Sequence, residues 1–137
     1  MFIKGTLDEN NPSFYLIKMW GFPVIKYLLI VSMDVQKDKE DLFNEVYDTE
    51  HIPAILKVTG VIKVERYKLQ SITMNFGGEL KDLDIKTEPR YTAIYEIRNP
   101  DVLKSNKWGD AVEFGRWADE VRPFTSNRQF ALRKLIQ

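Results

Sequence analysis

"VIKYLLIVSMDV", residues 24 to 35, is the stretch on which the fold turns. β-Branched and aromatic side chains dominate it, a composition that suits a pleated surface, so it reads as a strand. Strand alternation sends Tyr27, Leu29, Val31 and Met33 to one side and Leu28 and Ile30 to the other. Both sides are apolar at the centre. A strand with two apolar faces is covered twice, and any fold drawn for this chain has to supply both covers.

Downstream, Asp38 with Asp41 three positions on has the spacing of a weak capping box and predicts a helix start. Leu42, Phe43 and Val46 then fall within about a 100° arc, which marks the buried stripe. Pro53 disfavours helical geometry at Ile52, so the helix is expected to end or kink near His51. After Gly60, "VIKVERYKL" alternates as a second strand, and "NFGGELKDLD" supplies a Gly-Gly turn inside a long connection. "RYTAIYEI" reads as a third strand. "NPDVLKS" opens a helical region in which Trp108, Ala111, Val112, Gly115 and Ala118 recur at helical spacing. Pro123 closes it, and "RQFALRKLI" is the fourth strand. Residues 1 to 23, with "DENNP" and "GFP", read as an N-terminal extension with turns, which leaves residues 24 to 137 as the folded domain.

The order β-α-β-β-α-β is that of a ferredoxin-like α+β fold, in which two helices cover one face of a four-stranded antiparallel sheet. The second apolar face of the first strand then has no cover within the chain. The same face of a second copy supplies it, so a homodimer, a dimeric α+β barrel, is expected.

Composition narrows the function. The 137 residues suit one domain able to bury about two thirds of its unfolded surface. Twenty Lys plus Arg balance twenty Asp plus Glu, so no global field gathers nucleic acid or an anionic membrane, and neither is expected as a partner. The Arg128, Arg133 and Lys134 group is accounted for by a solvated strand face. No cysteine is present, which removes disulfides, thiolate nucleophiles and cysteine-based metal sites. "FYLIKMWGFPVIKYLLIV" is interrupted by Lys18, Gly21, Pro23 and Lys26, which a spanning helix does not readily carry. "MFIKGTLDEN" lacks the pattern of a secretory signal, so a cytoplasmic location is expected. "FGGE" lacks the spacing and lysine of a phosphate-binding loop, and no G-x-S-x-G elbow occurs. No cofactor is expected.

The string "LFNEVYDTEHIPAILKVTGVIKVERYKL" resembles the dimeric α+β barrel proteins, especially their EthD-like branch, in which an aromatic helix leads to His-x-Pro, a short apolar stretch and a Gly opening the second strand. "RYTAIYEIRNPDVLKSNKWGDA" is similar to the third-strand and second-helix portion of the same proteins. The resemblance covers about residues 25 to 136. It implies a ligand cavity between sheet and helices and makes His51 the motif histidine, in a superfamily of monooxygenases, polyketide cyclases, lactone isomerases, decarboxylases and proteins with no known reaction. Relatives often carry Trp before the Tyr-Asp pair. Val46 stands there in this chain, which either enlarges the pocket or marks a lost site.

His51 is the chain's one histidine. On a helical wheel Asn44, Tyr47 and His51 share one flank of the buried stripe, with Asp48 beside them. An imidazole titrates near neutrality, and an acidic neighbour raises its basicity, so His51 with Asp48 forms a candidate general base. The phenol of Tyr47 can donate to a developing enolate oxygen. The alternative is that His51 only closes the helix, bonded to backbone carbonyls near Pro53. Glu50 falls on the buried stripe, where a carboxylate needs a partner, and Lys63, Arg66 or Arg98 is expected to pair with it; as a reactive carboxyl it would instead contact ligand. Trp108, Phe114 and Trp117 are candidates for ligand contact or plain core, with the two tryptophans on opposite edges of the second helix. Gly115 is expected to let that helix approach the sheet, and Arg122 to neutralise its end or hold a ligand carboxylate. The reading that results is a protein that binds a small hydrophobic or aromatic metabolite, either as a cofactor-independent enzyme with His51 as general base, an acid–base isomerase, cyclase, decarboxylase or monooxygenase, or as a non-catalytic ligand-binding or dimeric interaction module.

Overall fold

The computed structural model describes residues 24–137; the extension expected over residues 1–23 lies outside the described residues. Strand β1 spans Tyr27–Val35. A helical stretch, α1, follows over residues 40–56 in three parts: α-helix Glu40–Val46, a π-helical turn Tyr47–His51, and α-helix Ile52–Leu56. Strand β2 is Val61–Lys68, the hairpin β3–β4 is Thr73–Phe76 with Glu79–Asp82, and β5 is Tyr91–Ile97. Helix α2, Asn106–Val112, precedes a second π-helical turn, Trp117–Val121, and β6 closes the chain at Thr125–Lys134.

The sheet runs β2-β5-β1-β6, antiparallel throughout, with the hairpin as a separate two-stranded piece. With the hairpin set aside, the four strands lie in chain order 2-3-1-4. This is the ferredoxin-like α+β arrangement. The helix-facing row of the sheet pairs Leu29 with Tyr95, Val31 with Ala93 and Met33 with Tyr91. Against it pack Phe43, Val46, Ile55 and Val121, all fully buried. Burial of side chains of this size stabilises by about 1.5–3 kcal/mol each. The other row places Ile30 between Ile94 and Ala131, all half-buried, and Leu28 between Glu96 and Arg133.

Several local expectations are corrected. Asp38 does not cap α1; it lies in a 3-10 turn, Lys37–Lys39, and the helix starts with no side-chain cap. Glu40 holds that end instead, accepting from the Tyr91 hydroxyl at 2.6 Å and pairing with Arg90 at 3.3 Å. The Tyr91 bond is the main reason its carboxyl is held below its ordinary pKa. Nor does Pro53 stop α1. The Ile52 N–H reaches back five residues to the Tyr47 carbonyl, so a widened turn accommodates the proline's missing donor and the helix continues. The helical region after residue 100 is not one helix: α2 ends at Val112, and Gly115 breaks the run with φ 68°. The Gly77–Gly78 turn, both residues at positive φ, closes a hairpin rather than a plain connection. Among the described residues no helix is long and apolar enough to cross a membrane.

Candidate functional site

Each π-helical turn ends two residues before a proline, His51 before Pro53 and Val121 before Pro123. Such turns are frequent at functional sites because one extra residue per turn redirects side chains. Here they turn Tyr47, His51 and Trp117 toward one another. Tyr47 is 2% exposed and His51 4%. The His51 ring stacks on Trp117 at 4.5 Å and 29°, while Tyr47 meets both edge-on at 5.0 Å.

These three rings form one wall of a cavity of about 340 Å³. Leu29, Val31 and Met33 of β1 form its floor, Trp108 and Val112 of α2 another wall, and Arg122, Arg128 and Phe130 its remaining side. A cavity of this size with mostly apolar walls and a few polar groups is the usual form of a small-molecule site. The polar groups are specific. The Tyr47 and Tyr95 hydroxyls bond each other at 2.8 Å. Two hydroxyls carry two protons and their mutual bond uses one, so one O–H remains to donate elsewhere. Burial raises the pKa of both phenols, Tyr95 furthest, so both stay protonated donors at neutral pH.

His51 departs from expectation in its electrostatics. Its Nδ1 is buried and has no hydrogen-bond partner among the described residues, which argues against a ring merely closing a helix through backbone carbonyls. Burial, then the nearby Arg122 guanidinium, pushes its pKa down to about 4. Asp48 does not raise it: that carboxylate is 60% exposed and bonds Arg66 at 2.8 Å. Asn44 accepts from the same guanidinium at 2.7 Å, and Arg66 lies over the Tyr47 ring at 4.5 Å. Asp48, Asn44 and Arg66 thus form a polar clamp that holds Tyr47, and none of them lines the His51 cavity.

Glu50 is also redirected. Its partner is neither Lys63, Arg66 nor Arg98 but Arg116, through the backbone N–H at 2.9 Å and Nε at 2.6 Å. Arg116 also reaches Glu45 at 2.8 Å. The Arg116 side-chain bond is the chief cause of the lowered Glu50 pKa. Gly115 serves this contact rather than helix–sheet approach, since a Cβ there would sit 2.3 Å from Glu50 Oε1. Phe114 is 57% exposed and, with Glu50, borders a separate outer depression. Val46 is fully buried and does not line the cavity, so its size does not set the cavity's volume.

Trp108 and Trp117 line the same cavity even though a continuous helical wheel sets them on opposite edges. The break at Gly115 resets the phase. Arg122 bonds the Val112 carbonyl at 3.1 Å, as expected of a cation at a helix end, and pairs with Glu113 while also facing the cavity. Sequence reasoning missed Tyr95 and Arg128. Tyr95 had a signal, because a tyrosine on the buried row of a strand needs a partner for its hydroxyl.

No family model and no curated protein matches the chain. Among solved structures the chain is similar to the crystal structure of an ethyl tert-butyl ether (EthD) family protein from Bacillus halodurans, at 11% identity and a TM-score of 0.48, over 80% of this chain and 97% of that one.

Proposed function

We propose that the protein binds a small, largely apolar molecule bearing a carbonyl or related oxygen, and moves a proton on it with His51. The observation that carries this reading is a 4%-exposed histidine on the wall of an apolar cavity whose Nδ1 has no hydrogen-bond partner among the described residues. A buried polar atom without a partner is unfavourable by about 1–3 kcal/mol, so a ring kept there against that penalty is a candidate for function. At neutral pH His51 is the free base. It accepts a proton from carbon next to the ligand carbonyl while the spare O–H of the Tyr47–Tyr95 pair donates to the oxygen that becomes an enolate. The negative charge formed there favours the imidazolium and offsets the depression of its pKa. Return of the proton to a different carbon is an isomerisation; return to the same carbon is exchange.

The test is incorporation of deuterium from heavy water into enolisable aryl ketones, comparing the wild type with His51→Gln. Exchange that the substitution abolishes supports the reading; no exchange with any ketone that binds removes the catalytic part. A carrier that holds such a ligand without turning it over is the second reading. It is favoured by one specific observation, that Asp48 is engaged by Arg66 and that among the described residues no carboxylate orients His51.

The protein is proposed to act as a homodimer through the sheet face opposite the helices. Ile30, Ile94 and Ala131 form an apolar centre there, and Glu96 with Arg133 supplies both signs of charge at one edge, which suits a self-complementary two-fold contact.

A further inference from the structure

Arg128 stands on β6, where Ser32 pairs with Gln129 but Asp34 pairs with Ser126. Two steps on β1 therefore answer three on β6. The extra residue is a β-bulge in which Asn127 and Arg128 together oppose Met33, and Asn127 takes the left-handed φ of 49°. The Asn127 side-chain amide fixes the bulge by donating to Asp34 Oδ2 and to the Thr87 carbonyl, each at 3.2 Å.

The bulge decides which way Arg128 points. If the pairing of Asp34 with Ser126 continued without it, Arg128 would oppose Ser32 and face away from the helices, because a one-residue shift moves every side chain to the other face. With the bulge, Arg128 joins Phe130 and Leu132 on the row opposite Val31 and Leu29 and borders the cavity. Bulges near sites commonly re-aim one side chain in this way.

The cavity's charges are unequal. Two guanidinium groups border it, Arg122 and Arg128, and among the described residues no carboxylate does. Arg122 is engaged by Glu113 and by the Val112 carbonyl. Arg128 therefore supplies the positive charge at the edge of an otherwise apolar space whose inner wall holds His51.

We infer that the ligand is an apolar monocarboxylate, aryl or alkyl, whose carboxylate lies on Arg128 and whose body crosses Met33, Val31 and Trp108 toward His51. This inference rests on the ligand-binding reading above and deepens it by naming the ligand class. The planar guanidinium matches a carboxylate with two parallel charge-assisted bonds. Neutral molecules of the same shape fill the same apolar space but leave that cation unanswered.

Calorimetric titration of the full chain with naphthoate and with its neutral isostere naphthamide tests this. The expected result is that naphthoate binds about ten-fold tighter or better, on the scale of one charge-assisted contact. Arg128→Gln abolishes that preference while the amide binds as before, and Arg128→Lys restores part of it. Equal affinities, or a preference that survives Arg128→Gln, overturn the inference while leaving a binding cavity in place. Failure of both molecules to bind overturns the ligand-binding reading and the inference with it.

Discussion

His51 and Trp117 stack with 4.5 Å between ring centroids and 29° between planes, although 66 positions separate them in the chain. Two π-helical turns make this contact, each ending two residues before a proline. The indole face would favour a protonated imidazole, but burial and Arg122 outweigh it and keep the ring neutral.

That balance makes stability depend on pH. The unfolded chain binds a proton at His51 near the ordinary value of 6.5, whereas the folded chain resists it until about pH 4. Between those values the unfolded state holds more protons, so stability is full above pH 6.5 and falls as pH drops toward 4. The loss from this one group is about 3 kcal/mol. Denaturant unfolding across this window should show the decline, and His51→Gln should flatten most of it. An unchanged slope in the variant would place the linkage elsewhere.

The Tyr47–Tyr95 bond predicts a non-additive pair. Tyr47→Phe or Tyr95→Phe alone leaves one buried hydroxyl without its partner, a loss of about 1–2 kcal/mol. Removing both hydroxyls should be less harmful than the two losses summed. Unfolding free energies of the three variants form the cycle; strict additivity would mean that the hydroxyls do not depend on each other.

Gly115→Ala should destabilise by about 1–2 kcal/mol, because a side chain at its left-handed φ is strained. The new Cβ also drives Glu50 off the Arg116 backbone N–H. Thermal unfolding should therefore shift downward, and a Glu50→Gln background should shrink the difference. A neutral Gly115→Ala would show that the segment after α2 rearranges freely.

The dimer proposal is tested on the sheet face opposite the cavity. Ile30→Glu puts a charge between Ile94 and Ala131 and should halve the sedimentation mass of a dimeric wild type without unfolding the chain. A wild type that sediments as a monomer at micromolar concentration would remove the dimer.

Strand alternation made the sheet legible, because Tyr91, Ala93, Tyr95 and Ile97 or Leu29, Val31 and Met33 keep a period of two that side-chain sterics enforce. Phe43 and Val46 were legible as a buried stripe for the same kind of reason. The site was only half legible. A helical wheel assumes 3.6 residues per turn, and the chain departs from that at Tyr47–His51 and again after Val112, which is where the candidate residues sit. Charge partners were illegible for another reason. Asp48 and Arg66 meet across 18 positions, and Glu50 and Arg116 across 66, so short-range spacing could not reveal either pair. By spacing alone Arg128 is a solvated cation, because the bulge that turns it depends on register between two strands 93 positions apart at Asp34 and Asn127.

A ligand in the cavity should meet His51. The chain holds one histidine, so its ring nitrogens can be followed alone in long-range proton–nitrogen correlation spectra. The ring should stay neutral down to about pH 4, and its nitrogen shifts should move when naphthoate is titrated in at neutral pH. A ring that titrates near 6.5, or whose nitrogens stay still while calorimetry records binding, would contradict it.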